Sequence, residues 1–322
     1  MSMISAPANN QLISALKTVP PSLSDAELLP VKVAVIDSGI DATHERCLGR
    51  VEKSWLYRSD GSGHFTEVSG LPVNNDRGGH GTAVAGIICA IAPNASIIDI
   101  GVLDEHGVSN GASLIEAMRL ALRSGARIIN MSLNCIRKYK YELNELCEEA
   151  YRNGQIVVAA KRNIPLVDDL GFPAEITSCI SVDLCGKGNP YDFSYTGTPP
   201  IEFAAHGESI LAPKSGGGYI YLSGTSFATP IISAMIALML GKHPNLTVFE
   251  IKALLKYFAQ TGGDCPTPTS NPLECGMAHP FDGTHIDPAS RATRCPQCKA
   301  YLQIPDFFKS ARCPHCCARV TL

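Results

Sequence analysis

Charge is scarce in this chain of 322 residues: 18% of positions are Asp, Glu, Lys or Arg, and the formal net charge is −3. That balance supplies no general electrostatic drive toward nucleic acid or an anionic membrane surface. Long apolar runs are missing too. None reaches the ~18 residues expected of a membrane-spanning helix, and the longest, Ile231 to Leu240, has the length of one core helix. The first thirty residues lack a basic start followed by an apolar stretch, which argues against a secretory leader. There is no long-period repeat and no low-complexity tract. What remains, with 45% apolar residues, is a globular composition able to bury one large core and carry a small appendage.

Cysteine is plentiful, but not in the manner of a disulfide scaffold. The count is thirteen, an odd number in a long chain. Several, such as Cys89 and Cys179, sit inside apolar segments. Reduced thiols and a cytoplasmic location are the expectation. Four cysteines stand apart: Cys295-Pro296-Gln297-Cys298 and Cys313-Pro314-His315-Cys316 are two Cys-x-x-Cys pairs separated by fourteen residues. Each pair can grip one tetrahedral ion from a tight knuckle, and four thiolates suit structural zinc. A segment of about 29 residues needs such a staple to fold. An iron site or two redox pairs are the competing readings. Cys317 is one thiolate too many and stays outside the set, while Cys265, Cys275, His279 and His285 are too irregularly spaced for a second site. Arg291, Arg294, Lys299, Lys309, Arg312 and Arg319, with Tyr301, Phe307 and Phe308, make the tail locally basic and aromatic. Nucleic-acid binding is one reading of that pattern. A packing or partner-docking appendage with solvated charges is the favoured one.

From Lys32 onward, short β-rich runs alternate with helical ones. Strands are expected at Val31 to Asp37, Ala95 to Val102, Ala126 to Leu133 and Gln155 to Ala160. Helices are expected at Gly81 to Ala90, about Ala112 to Ser124, and about Leu143 to Asn153. That rhythm predicts a parallel sheet with helices on both faces, whose catalytic residues gather at the carboxyl ends of strands. Gly262 to Gly283 reads as an irregular loop, and Asp287-Pro288 offers an N-cap and first-turn proline for a short helix.

Three segments carry chemistry. Val33 to Asp41 (VAVIDSGID) ends a strand run on Asp37. His80 lies in Gly79-His80-Gly81-Thr82, and Ser226 in Ser223-Gly224-Thr225-Ser226-Phe227-Ala228-Thr229-Pro230. A serine hydroxyl is a poor nucleophile near neutral pH and needs a base during attack. Histidine titrates near pH 6.5 and suits that role, and an aspartate can orient the imidazole and stabilise its cation. Taken singly, each segment has a bland alternative: a strand-end aspartate, a buried histidine, a helix-capping serine. The conjunction in the order Asp, His, Ser points to an acyl-transfer catalyst.

These segments resemble those of subtilases, the subtilisin-like serine peptidases, over residues 31 to about 292. Ala92-Pro93, Gly171-Phe172-Pro173-Ala174 and Gly241-Lys242-His243-Pro244 fall where that family has related segments, and Gly283 to Ala292 looks like its last helix. The resemblance implies a subtilisin-like three-layer α/β fold, with a mostly parallel sheet and helices on both faces. A small zinc ribbon would follow at the C-terminus. The division is an N-terminal extension (1–30), a catalytic domain (31–293) and the ribbon (294–322). It implies a serine endopeptidase acting on a protein or peptide, with no membrane partner. Asn163 would be the oxyanion donor beside the Ser226 N–H. Ser132, Leu133, Asn134 and the turn at Gly107 would be edges that pair with substrate.

Departures from the family pattern motivate an alternative. Lys161-Arg162 stand where a small residue and a glycine are usual, and Asn134 replaces a glycine. A narrowed cleft would make the chain a peptide-binding pseudoprotease that docks partners through its ribbon. Asp168 and Asp169 are either a solvated acidic loop, the favoured reading, or a preference for basic substrates. The calcium loop that many relatives insert after the catalytic histidine has no room in Cys89-Ala90-Ile91-Ala92-Pro93, so no calcium is expected there. The stretch from Asn9 to Leu29 is expected to be a docking arm or a short inhibitory segment.

Overall fold

The computed structural model describes residues 28–57, 64–163, 169–185 and 193–259, and beyond them six short strands. A nine-stranded sheet forms the middle layer. Its strands are β1 (Val31–Asp37), β2 (Val51–Tyr57), β3 (Phe65–Glu67), β4 (Ala95–Gly101), β5 (Ile128–Met131), β6 (Ile156–Ala160), β7 (Ile180–Cys185), β8 (Phe193–Thr198) and β9 (Ile201–His206). Their spatial order is β3-β2-β4-β1-β5-β6-β7-β9-β8. β3 and β8 pair antiparallel at the two edges, and every pairing between them is parallel.

Strand periodicity builds the layers. Val33 and Val35 face one side and Ala34 and Ile36 the other, all fully buried. The first side receives α1 (His80–Ile91), α4 (Thr225–Lys242) and α5 (Val248–Phe258), through Val84, Ile88, Ile232, Ile236 and Ile251. The second receives α2 (Gly111–Arg123) and α3 (Lys140–Arg152), through Leu114, Met118, Leu143 and Cys147. Each buried branched side chain contributes roughly 1.5–3 kcal/mol by leaving water. The expected parallel α/β sheet and its early elements are therefore present, with β1 matched at both ends and the other ends shifted by at most three residues.

The longest helix differs from expectation. α4 runs 18 residues rather than the ten of the apolar run, and by length and composition alone it would pass as a membrane span. It lies inside the fold, 83% buried, as the central helix against the sheet. Its lack of a polar face follows from burial all round.

Chain order sets a switch point. After β1 the chain builds β2 and β4 on one side, then crosses to place β5 on the other. The carboxyl ends of β1 and β5 consequently border a crevice, the usual location of a site in such sheets. A hairpin of β10 (Ile210–Pro213) and β11 (Tyr219–Leu222) lies over the starts of α1 and α4, packing Ile210 and Ala212 on Ala83, Ile87, Phe227 and Ile231.

At the other end of α4 the incoming chain docks. The Leu29 N–H donates to Gly241 O at 2.9 Å, Asn94 Nδ2 donates to Leu29 O at 3.0 Å, and Leu28 is buried. At 1.5 Å per residue this contact is roughly 20 Å along the helix from Ser226. The end of the N-terminal stretch is thus a docking contact, and its earlier part lies outside the described residues.

In the tail, β12 (Gly276–Met277), β13 (His279–Pro280), β14 (Ser290–Arg294), β15 (Tyr301–Pro305), β16 (Ser310–Arg312) and β17 (Arg319–Thr321) form two small sheets. The helix expected through Ala292 is replaced there by a strand. Ser-Arg-Ala-Thr-Arg has no apolar helical face, and its backbone pairs antiparallel with Tyr301–Pro305 instead. The boundary drawn between 293 and 294 falls inside this strand. The Asp287-Pro288 helix start lies outside the described residues.

Candidate active site

Asp37 is the last residue of β1 and is fully buried. Its Oδ1 accepts from the Ser38 N–H at 2.8 Å and meets His80 Nδ1 at 2.7 Å. Since Nδ1 donates to the carboxylate, the neutral imidazole keeps its proton there and leaves Nε2 as the acceptor. Burial works against the imidazolium. The charge and hydrogen bond of Asp37, with the charge of Asp76 beyond, outweigh it and hold His80 above the usual histidine pKa.

Close backbone approach makes this junction possible. A Cβ on Gly81 would lie 2.1 Å from Gly39 O, so α1 can start against the β1 loop only with glycine there. Asp76, which sequence reasoning did not single out, ties the start together. It accepts from the Ser38 hydroxyl at 2.6 Å, the Gly78 and Gly79 N–H groups at 3.1 and 2.8 Å, the Thr82 N–H at 2.9 Å and the Thr82 hydroxyl. Its signal was an acidic residue just ahead of a helix, the ordinary N-terminal pattern.

Ser226 lies in the first turn of α4, next to Phe227, whose ring centroid is 5.3 Å from that of His80. The helix begins at Gly224, with φ of 150° and no side-chain cap. First-turn N–H groups have no carbonyl within the helix. The Thr225 N–H is taken by Asn163 Oδ1 at 2.9 Å, whereas the Ser226 N–H has no partner among the described residues. Pro230 sits four residues on and cannot donate to Ser226 O. The Ser132 hydroxyl fills that gap at 2.8 Å, and the Ser226 hydroxyl donates back to Ser132 O at 3.0 Å. In this rotamer the nucleophile candidate is turned toward the strand carbonyl rather than the imidazole. Catalytic hydrogen bonds of free enzymes commonly form only when substrate is present.

Asn163 stands beside Gly224 at the exposed rim. Its Oδ1 accepts from both the N–H and the hydroxyl of Thr225, at 2.9 and 3.0 Å, which leaves Nδ2 as the donor end. The two cations before it do not fill the cleft. Lys161 Nζ is 2.5 Å from Asp183 Oδ2, and Arg162 Nη2 reaches Cys135 O at 3.2 Å and Asp169 Oδ1 at 3.6 Å. Asp169 is buried against that arginine and caps the Gly171 N–H at 2.9 Å. It is therefore neither a solvated loop residue nor a free charge for basic substrates, and Asp168 lies outside the described residues.

Asn134 donates to Leu133 O at 2.9 Å and Ala160 O at 2.6 Å, clasping the ends of β5 and β6. The Ser132 side chain is buried in the bonds already described, so only its main chain can serve as an edge. Gly107 forms an open turn at φ of 70°, held by Asp104 Oδ1 accepting from the His106 and Val108 N–H groups, both at 2.9 Å. Cys135 offers no competing nucleophile, because burial pushes its thiol up to about 12. Cys295, Cys298, Cys313 and Cys316 lie outside the described residues.

A carboxylate-oriented imidazole and a hydroxyl at an open helix N-terminus, set at the switch point of a parallel sheet, define the layout of a serine hydrolase. A model of the subtilase family matches residues 30–275. The chain is 32% identical to subtilisin DY of Bacillus licheniformis over 247 residues, covering 73% of this chain and 85% of that one. It is also 32% identical to subtilisin E of Bacillus subtilis (strain 168) over 237 residues, which are 70% of this chain and 59% of the relative. Among solved structures, sphericase superposes with a TM-score of 0.59 at 24% identity, covering 75% of this chain and 88% of that one. This chain belongs to the subtilase family, and its activity is that of a serine endopeptidase.

Proposed function

We propose that Ser226, His80 and Asp37 carry out the hydrolysis, through an acyl-enzyme, with the Ser226 N–H and Asn163 Nδ2 binding the oxyanion. The observation that carries this reading is the 2.7 Å contact of His80 Nδ1 with the buried Asp37, which leaves the other ring nitrogen basic. Ser226 Oγ attacks the peptide carbonyl while His80 accepts its proton, and the imidazolium so formed is stabilised by Asp37. His80 then returns the proton to the departing amine, and water repeats the sequence on the ester. An extended peptide laid along the main chain of Ser132, Leu133 and Asn134, facing the turn at Gly107, brings an N–H donor to Ser132 O. That exchange releases the Ser226 hydroxyl for the imidazole. A fluorophosphonate should label the folded protein and fail to label Ser226→Ala; equal labelling of both would sink the assignment.

For the tail, the proposal is a structural zinc held by Cys295, Cys298, Cys313 and Cys316. Its support is the backbone around each pair: Arg294 is in register with Tyr301 across the first pair, and Arg312 with Arg319 across the second. Each Cys-x-x-Cys therefore joins two antiparallel strands, as knuckles gripping one ion would. Bound zinc would fold the tail and, with four sulfur ligands, hold no open position for chemistry. We assign it to docking of a protein partner, in preference to nucleic acid. Metal analysis should find one zinc per chain, lost in Cys298→Ser. The cytoplasmic placement rests on thiols: Cys47, Cys89, Cys135, Cys147 and Cys179 are buried and unpaired by disulfides.

A further inference from the structure

Asp99 lies in the middle of β4, only 1% exposed, on the same face of the sheet as Asp37. The reaction as described makes no use of it. Its Oδ2 accepts from the Ser54 hydroxyl at 2.5 Å, the Ile40 main-chain N–H is a second donor, and its Oδ1 has no partner. Ser54 in turn accepts from Asn75 Nδ2 at 3.1 Å, and the Asn75 N–H donates to Ile40 O at 3.0 Å. Asp99 thus reaches, through Ser54, both the loop after Asp37 and the turn that bears Asp76.

The charges around it are unbalanced. Asp37 and Asp76 approach from β1 and from the turn before α1, and His80 at the head of α1 is the cationic group they share. β2 sends Lys53 outward over the Trp55 ring, and Arg77 is directed to Tyr57 O. Three carboxylates beside one imidazole, two of them fully buried and the third partly so, oppose one another's charge. Donors decide which one yields. Asp76 accepts five hydrogen bonds. Asp37 and Asp99 each have two partners and one orphaned oxygen, but one partner of Asp37 is the His80 imidazole, which can carry a positive charge, whereas the hydroxyl and N–H that serve Asp99 are neutral.

We propose that Asp99 is a positioning residue that stands as a neutral carboxylic acid, bracing the Asp37 loop and the Asp76 turn so that His80 faces two carboxylate charges rather than three. The neutral form bonds to Ser54 and tolerates a dry site. Ionised, the same group would repel Asp37 and Asp76 across the loop that orients the imidazole. Burial, reinforced by the charges of Asp76 and Asp37, pushes its carboxyl up to about 8. This device rests on the Asp37–His80–Ser226 reading, but its titration can be measured without any turnover.

The sign of the pH effect is set by linkage. The folded state keeps the Asp99 proton to about pH 8, while the unfolded chain releases it near 4. The contribution of Asp99 to stability is therefore full below the lower value and is lost as pH rises to the upper one. An asparagine at this position never ionises. In a Ser226→Ala background, which prevents autolysis, the carboxyl carbon of ¹³C-labelled Asp99 should titrate near pH 8, and the Tm advantage of Asp99→Asn should widen from pH 4 to 8 and then level off. In the active enzyme, Asp99→Asn should keep kcat/KM at pH 7 within about twofold. It should also retain the kcat that the parent loses above pH 8, with KM unchanged in both. An Asp99 carbon that titrates below pH 5, or an alkaline limb identical in parent and variant, would overturn the proposal. The carbon titration needs no substitution at Asp99 and decides even if Asp99→Asn fails to fold.

Discussion

The starts of α1 and α4 solve the same problem in opposite ways. Both are buried helices against one face of the sheet, and each presents one of the proposed reacting side chains in its first turn. A helix N-terminus is electropositive, which suits an anion and opposes a cation. At the head of α1, where the proposed mechanism forms an imidazolium, Asp76 takes the Gly79 and Thr82 N–H groups, the Ser38 hydroxyl takes that of Gly81, and Asp37 adds a second charge. At the head of α4, where the proposed mechanism forms an oxyanion, no side chain caps Gly224, Asn163 takes only the Thr225 N–H, and the Ser226 N–H is left open. The lesson is that capping is distributed by the sign of the charge each helix end has to stabilise.

The most severe test removes both reacting groups. Ser226→Ala and His80→Ala should each lower kcat by about 10⁶, and the double variant should be no worse than either, because the two act as a unit. Additive losses in single-turnover assays would mean that the two helix ends work independently. Next in size is Asn163→Ala, which deprives the open end of its side-chain donor. A fall of about 10²–10³ in kcat with KM nearly constant is expected, and an equal rise in KM would place Asn163 in ground-state binding instead.

Asp76→Asn probes the capped end, with a smaller effect. The variant keeps the shape but loses a charge that raises the His80 pKa. The acid limb of the kcat/KM profile, set by deprotonation of His80, should move to lower pH. Weaker bonds to Gly78, Gly79 and Thr82 should cost about 1 kcal/mol of stability. An acid limb that stays put would show that Asp37 alone sets the basicity of His80.

The sequence disclosed the residues at both helix ends but not the contrast between them. Asp37, His80 and Ser226 stand in short local patterns, each bounded by glycines, and β1, β4 and β6 are apolar runs that periodicity detects. What escaped depends on who meets whom across the sheet. Asp76 was not singled out, because its role exists only where Ser38 and Thr82 close on it. Asp99 was a single acid in an otherwise apolar strand, a signal present but passed over. Asn134 suggested a narrowed cleft, yet a Cβ on Gly171 would lie 2.8 Å from its Cγ, so the pair fit as a clasp. Strands β7 to β9, of six residues each, alternate apolar and polar side chains over Ile180 to Leu184, Phe193 to Thr196 and Ile201 to Phe203, a signal that a reading of continuous apolar runs does not use.

The smallest expected effect separates support from chemistry at the open end. Lys161 is a neighbour of Asn163, and its main-chain carbonyl accepts from the Thr225 hydroxyl at 2.7 Å, so its backbone helps hold the head of α4. Its side chain looks away, pairing with Asp183 across β6 and β7, with both side chains 17% exposed. Lys161→Met keeps the stem and the carbonyl while stranding a carboxylate that still accepts from the Leu184 N–H at 2.8 Å. Urea unfolding in the Ser226→Ala background should show a loss of about 1–2 kcal/mol, whereas kcat/KM in the active enzyme should change less than about threefold. Asn163→Ala should shift the balance the other way, with turnover greatly reduced for a stability loss of about 1 kcal/mol from the Thr225 N–H it leaves bare. If Lys161→Met instead lowered kcat as Asn163→Ala does, the cation would belong to the oxyanion site, and the head of α4 would be charged rather than open.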